Sequence, residues 1–369
     1  MQDTAIQNTF HVSYDYPVIF TDDAFAALQA SVVNGHACVF VDSGFAAANS
    51  DALAAVSRFD PSPTLVPGGA PAKNDESVIR AILERLAASR LDRHSYVVAI
   101  GGGSVLDAVG FAAALFHRGV RLIRVPTTVL SQADAGIGVK NGIDFLGQKN
   151  LLGVFAPPRA VICGRGMVRT LPREEKIAGL SECVKVGIIR DANYFESLET
   201  DLPLLRECEP AALARATETA ARIHLRQITE GGDPFERGSA RPLDFGHWAA
   251  HRIEVMSGKR VGHGVAVAAG MALDTVYAHF AGLLPAQNRD RILALLRGLG
   301  LPLHLPEFDN PDELLRGLGD FREHLGGELC ITLPTAIGAT VEVNAMDAGL
   351  VRRSLGMMRS PGVPASRSR

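Results

Sequence analysis

The chain has no stretch of about 18 consecutive apolar residues free of charge, which excludes a helical membrane span. It has no Cys-x-x-Cys. Its five cysteines, Cys38, Cys163, Cys183, Cys208 and Cys330, are scattered and odd in number. That argues against a disulfide framework or a thiolate metal site and fits a reducing compartment. Neither sign of charge dominates. The 37 Lys and Arg stand against 40 Asp and Glu, a net charge of −3, so no broad basic surface exists for nucleic acid. The first residues, MQDTAIQNTF, show no basic stretch leading into an apolar run, so no signal peptide is expected. Disorder-prone composition is confined to the residues after about Arg359. What is present is a 47% hydrophobic chain of 369 residues, enough for two domains or one large one. The expectation is a soluble, cytoplasmic protein.

Over the first 150 residues, strand-like and helix-like segments alternate. Ala37 to Val41, Tyr96 to Ile100 and Val120 to Val125 are apolar runs. Glu76 to Arg90 repeats apolar residues at helical spacing (Val78, Ile79, Ile82, Leu83, Leu86), and Val105 to Phe116 is again helix-like. This alternation predicts a parallel sheet flanked by helices. From Glu174 onward the pattern is mostly helical, with Pro210 to Thr229 and His263 to Phe280 the longest stretches. The fold class is therefore α/β: a Rossmann-like parallel-sheet domain over 1–170, then a mostly helical, metal- and substrate-binding domain over 171–369.

Three groups of residues carry chemistry. Gly101-Gly102-Gly103-Ser104 follows a strand and opens a helix, where backbone N–H groups can meet a pyrophosphate. The spacing is not Gly-x-Gly-x-x-Gly, and a glycine triplet also serves ordinary strand–helix turns. Asp42, ending an earlier strand, could bond ribose hydroxyls, and Asp107 lies on the new helix. The second group is His247, His251 and His263, three of the eleven histidines within seventeen residues. His247 and His251 share a helix face. With Glu182 they offer a His/Glu set suited to catalytic zinc, although such a pair also occurs on surface helices without metal. Trp248 stands where a His-Glu-x-x-His motif would place glutamate. The third group is Arg118, Lys140, Lys149 and Asn150, in segments read as loops after strands, where cations would suit an anionic substrate.

Taken in order, these segments resemble the dehydroquinate synthase family. The carriers are Gly101 to Phe111, Val125-Pro126-Thr127-Thr128 through Asp134, Lys140, Gly147 to Asn150, Ala178 to Lys185, Leu243 to His247, and Gly262-His263-Gly264. The match runs from about residue 37 to about 345. The resemblance implies NAD and Zn2+ (Co2+ as the alternative metal), with zinc on Glu182, His247 and His263. It moves His251 to a phosphate contact. It puts Asp42, Gly102, Gly103, Ser104, Asp107, Thr127, Thr128 and Lys149 on NAD or the substrate beside it. Lys73 falls in another nucleotide-contacting segment, in which a family glutamate is replaced at Ala70. Asp134, Lys140, Asn150 and Lys185 match substrate or catalytic positions. Arg118 matches an arginine that reaches the phosphate from a neighbouring subunit, which implies a homodimer.

The departures bear on the substrate, a small sugar phosphate. Where dehydroquinate synthases hold a carboxylate with lysine and arginine, this chain has Arg226 and Ala240, with Arg241 offset by one. The usual asparagine before the first metal histidine is Asp244, which would repel a carboxylate and accept hydrogen bonds from hydroxyls. The family's lysine-pair segment becomes Arg322 to Gly327. These features resemble the cyclases that turn sedoheptulose 7-phosphate into valiolone-type cyclitols. The implied reaction is a redox-neutral cyclisation with loss of phosphate. The alternatives are 3-dehydroquinate synthase, a metal-dependent polyol dehydrogenase that would accumulate NADH, and a non-catalytic descendant.

Overall fold

Runs such as Tyr96–Gly101, apolar on both sides, are satisfied only as strands covered on both faces. The computed structural model describes residues 5, 7–33, 36–231, 235, 242–324 and 326–359. It places β1 (Val18–Thr21), β2 (Ala37–Asp42), β3 (Thr64–Val66), β4 (Tyr96–Gly101), β5 (Arg121–Pro126) and β8 (Ala160–Gly164) in one parallel sheet, ordered β1-β8-β5-β4-β2-β3. Every residue of β4 is buried. Phe40, Val97, Ala99 and Leu122 face α1 (Glu76–Ala88) and α2 (Gly103–Leu115). Val39, Val41, Val98, Ile100 and Ile123 form the opposite face. The Asp75 carboxylate caps α1 by accepting from Ser77 N.

Between β5 and β8 the chain makes an antiparallel hairpin, β6 (Lys140–Phe145) and β7 (Gln148–Phe155). Lys140 to Gly142, read from sequence as loop, is strand. The two connecting residues, Leu146 and Gly147, both have positive φ (49° and 75°), as the tight turn of a two-residue hairpin requires. Leucine is an uncommon residue there, so the turn carried no sequence signal. Strands β1 and β8 were also not anticipated. Each is short, and β8 follows two prolines; pairing makes them strands, β8 with β5 and β1, and β1 with β8.

After β8 ends at Gly164 the chain is mainly helical: α3 (Arg173–Arg190), α4 (Pro210–Glu230), α5 (His247–Met256), α6 (His263–Phe280), α7 (Ala286–Leu299), α8 (Pro311–His324) and α9 (Ala348–Met358). A second hairpin, β9 (Ile331–Ala336) and β10 (Ala339–Val343), packs among them. Helix α6 occupies the centre and is buried along nearly its whole length. Its glycines allow close approach. A Cβ on Gly264 would lie 2.2 Å from the Ala178 carbonyl of α3, and one on Gly270 would lie 2.1 Å from the Gly246 carbonyl at the start of α5. None of the described helices is long and apolar enough to cross a membrane.

Candidate active site

The close crossing of α3 and α6 fixes the first half of a site. Glu182 lies on α3, and His263 is the first residue of α6. His247 is the first residue of α5, reached through Gly246 in the left-handed region (φ 78°). Glu182 Oε1 is 3.9 Å from His247 Nε2 and 3.8 Å from His263 Nε2. One ligand atom from each residue falls within 4.8 Å of the others. His247 Nδ1 donates to the Phe245 carbonyl at 3.0 Å, which leaves Nε2 with its lone pair toward Glu182. Burial holds His247 and His251 well below the usual histidine range, reinforced by Lys185 beside the first and Lys149 beside the second. Both rings are therefore neutral at neutral pH, the form that can donate to a cation.

Glu182 is 1% exposed. Its Oε2 lies 2.5 Å from Lys185 Nζ. Its Oε1 has no hydrogen-bond partner among the described residues. A carboxylate oxygen buried without a donor favours an added cation. Burial pushes the Glu182 carboxyl up, while Lys185 opposes that. Two imidazoles and one buried carboxylate with ligand atoms this close together fit a zinc ion.

Deeper in the site, Lys185 also meets Asp134 Oδ1 at 3.5 Å. Burial favours losing the Lys185 proton, but Asp134 and Glu182 together outweigh it and hold the ammonium above its ordinary range. Burial likewise raises Asp134, and Lys185 and His224 more than reverse it, so the carboxyl sits well below its usual range. His224 Nδ1, from α4, stands 2.7 Å from Asp134 Oδ1. Asp134 lies in a π-turn, Ser131–Ala135, closed by Gly136 N donating to the Ser131 carbonyl at 2.8 Å. The wholly buried Arg124 steadies the chain beyond it, donating to the carbonyls of Gly136, Gly138 and Lys140 and to Asn141 Oδ1.

The tip of the β6–β7 hairpin lies between this cluster and the sheet. Two neighbouring residues of β7 reach different partners, Asn150 with a positive φ of 51°. Lys149 Nζ bonds Glu254 Oε2 and lies 3.4 Å from His263 Nδ1. Asn150 Oδ1 accepts from Lys73 at 2.5 Å, and Lys73 also pairs with Asp107 on α2 at 2.7 Å. Asp144 of β6 pairs with Lys259 at 3.0 Å.

At the carboxyl ends of the strands lies the second half. Gly102 caps α2 with no side-chain hydrogen bond, so the first N–H groups of the helix face outward uncapped. A Cβ on Gly102 would come within 3.2 Å of Thr128 Cγ2, and one on Gly103 within 3.3 Å of Ala135 Cβ. Ser104 lies in the same first turn. Thr127 N donates to the Gly101 carbonyl at 3.0 Å. Asp42 Oδ1 accepts from Gly44 and Phe45 N–H, and a Cβ on Gly68 would meet Oδ2 at 2.6 Å. An uncapped helix N-terminus behind a glycine turn, with an acidic strand end beside it, fits the pyrophosphate and ribose of a dinucleotide.

The structure thus gathers Glu182, His247, His263, Lys185, Asp134 and Lys149 in one place, and Asp42, Gly102, Gly103, Ser104, Thr127 and Thr128 in another. Lys73, Asp107 and Asn150 lie between them, already paired with one another. The His251 ring stands 5.6 Å from that of His247 and 6.3 Å from that of His263, beside the converging set and not within it. Asp244 is half-buried next to α5, and its charge acts on Lys185. Lys140 is exposed at the start of β6. Two residues do not join within one chain. Arg118 lies beyond the far end of α2, about 20 Å along the helix from Gly103. Arg226 is exposed, two residues past the inward-facing His224 and so on the other side of α4. Ala240 and Arg241 lie outside the described residues.

Sequence reasoning missed Glu254, His224, Asp274 and Arg124. Glu254 was legible, since His247, His251 and Glu254 at i, i+4 and i+7 share one helix face. His224 had no signal; only the packing of α4 on the π-turn brings it to Asp134.

Two family models match the chain: 3-dehydroquinate synthase N-terminal over residues 64–178 and 3-dehydroquinate synthase C-terminal over residues 179–319. A 3-dehydroquinate synthase of Teredinibacter turnerae is 39% identical over 279 residues, 75% of this chain and 77% of that protein. A 2-epi-5-epi-valiolone synthase of Streptomyces glaucescens is 37% identical over 279 residues, 74% of this chain and 71% of that protein. The solved structure of 2-epi-5-epi-valiolone synthase from Streptomyces hygroscopicus subsp. jinggangensis, with NAD+ and Zn2+ bound, aligns with a TM-score of 0.88 at 28% identity. It covers 95% of this chain and 99% of that one.

Proposed function

The chain belongs to the 3-dehydroquinate synthase family, and from that premise we propose that it is a sugar phosphate cyclase converting sedoheptulose 7-phosphate to a valiolone-type cyclitol with release of phosphate. The choice of substrate rests on Asp244. Its carboxylate stands beside the metal helix, close enough to act on Lys185. A substrate carboxylate brought there would be repelled, whereas sugar hydroxyls would donate to it. The exposed Arg226 on the far side of α4 adds to this reading, because it points away from His224 and Asp134.

Glu182, His247 and His263 would hold the metal. Asp42, Gly102, Gly103, Ser104, Thr127 and Thr128 would hold NAD, with Lys73, Asp107 and Lys149 along its path. Bound there, the metal supplies Lewis-acid polarisation of a sugar hydroxyl, and NAD supplies a hydride acceptor that returns what it takes. Lys185, kept protonated by its two carboxylates, places a positive charge where negative charge develops on substrate oxygen. Asp134, kept ionised, accepts from a substrate hydroxyl and orients the ring. Lys140, Asn150 and His251 hold the phosphate. Arg118 completes that contact from a second copy of the chain, so the working form is a homodimer.

A second reading, 3-dehydroquinate synthase, is favoured by the 39% identity to the Teredinibacter enzyme. Zinc-loaded protein with catalytic NAD would be given sedoheptulose 7-phosphate and, separately, 3-deoxy-heptulosonate 7-phosphate. Phosphate release from the first without net NADH is expected. Release from the second alone would replace the first reading with the other. Net NADH would point to a dehydrogenase.

A further inference from the structure

We propose that Glu254 is the positioning residue for His263, fixing which ring nitrogen faces the metal site and holding the ring there. The inference rests on the metal reading above and extends it to a residue outside the three ligands. Helix α5 carries His247, His251 and Glu254 at i, i+4 and i+7, so a residue more than one turn from His247 faces the same cluster. Glu254 Oε1 lies 3.2 Å from His263 Nδ1. The two nitrogens of an imidazole point in divergent directions, and His263 Nε2 is the one that faces Glu182, at 3.8 Å. Glu254 therefore contacts the ring on the side away from the metal site. A carboxylate accepts only, so the shorter contact, to Glu254, puts the proton on Nδ1 and the lone pair on Nε2; Lys149 Nζ, 3.4 Å from the same nitrogen, is bonded to the carboxylate's other oxygen.

The same role at His247 is filled by the Phe245 carbonyl. The two histidines are thus held by different acceptors, one neutral and one charged. A charged acceptor makes the ring more basic and a stronger donor to a cation. His263 is also the more exposed of the two, with 29% of its side chain accessible against 10% for His247. It opens α6 at the more accessible edge of the cluster, and an acceptor on its far side holds the ring. Glu254 is itself anchored. Its other oxygen, Oε2, bonds Lys149 Nζ from β7. The carboxylate is 13% exposed and spans the hairpin tip and the metal helix pair. One side chain thereby ties the orientation of a ligand on the helical side to the hairpin on the sheet side.

The test measures zinc affinity directly. Full-length wild-type protein, E254A and E254Q are stripped of metal and titrated with Zn2+ against a chromophoric chelator. Melting temperatures of the metal-free forms, and the visible absorption of the Co2+-loaded forms, are recorded alongside. E254A should bind Zn2+ roughly 10- to 100-fold more weakly. E254Q keeps an acceptor without the charge and should fall between E254A and wild type. The Co2+ spectrum of E254A should shift, while metal-free melting temperatures stay together. Wild-type zinc affinity in E254A would overturn the inference. So would an equal loss in both variants accompanied by a lower metal-free melting temperature, which would make Glu254 a folding residue. Failure of the wild-type chain to bind Zn2+ would instead sink the metal reading, and this inference with it.

Discussion

At the scale of single residues, the site keeps charge in a dry interior by pairing it. Lys185 and Glu182 are each 1% exposed, and each is tolerable only because the other is present. Asp274 is the exception. It is fully buried beneath the start of α5, accepting from Trp248 Nε1 at 2.8 Å and Gly246 N at 3.1 Å, with no cation paired to it among the described residues. Burial pushes its carboxyl from the ordinary 3.8 up to about 7 despite those two donors. The folded protein therefore keeps the proton over a range in which the unfolded chain has lost it. Stability from this group is complete below about pH 4, falls as pH rises to about 7, and is flat above. Three pH units correspond to roughly 4 kcal/mol, an upper bound. In metal-free protein, urea unfolding of wild type and D274N should diverge across that window, since asparagine does not titrate. A constant difference between the two from pH 4 to 7 would refute the assignment.

At the scale of elements, the ligand helices are placed by what their glycines leave out. Helix α6 can approach α3 because Gly264 has no Cβ to meet the Ala178 carbonyl, and His263 is its immediate neighbour. G264A forces the helices apart. It should destabilise the protein by about 1–3 kcal/mol and weaken zinc binding roughly tenfold, because His263 moves away from Glu182. The same substitution at Gly319, inside α8 with nothing near its missing Cβ, should be neutral or stabilising by up to about 1 kcal/mol. Thermal melting with a zinc titration separates the two. Equal effects at both positions would mean that helix propensity, not the crossing, governs the site.

At the scale of the whole molecule, the site is a seam. The sheet contributes an uncapped helix and the strand ends; the helical half contributes the His/Glu cluster. The hairpin lies between them, with Lys149 on Glu254 and Lys259 on Asp144 fastening it to the helical half. Arg118 stands at the opposite end of α2, so within one chain it cannot join the seam. If it serves the phosphate of a second copy, mixing two inactive variants restores function. Mixed dimers of R118A and H263A contain one intact site of two, and random association should return about one quarter of wild-type turnover. No recovery after co-refolding would remove Arg118 from the site and, with it, the argument for a shared active site.

What the sequence determined by itself was local and periodic. Apolar runs fixed β2, β4 and β5, helical spacing fixed α1, α4 and α6, and His263 to Phe280 came out with its ends in place, because a buried helix must be apolar along its length. The glycine turn and the Glu182, His247 and His263 motifs were legible because their chemistry needs particular residue types next to fixed local geometry. What only the tertiary structure decided were contacts between segments far apart in the chain. His224 on Asp134, Glu254 behind His263 and Lys149 across the seam join residues separated by 9 to 105 positions. Strand β8 exists through its pairing with β5 and β1, and β1 through β8, and the hairpin turns on a leucine with positive φ. Arg226 kept its charge in the sequence but lost its place in the fold, because two residues along a helix is half a turn and the side chain looks the other way.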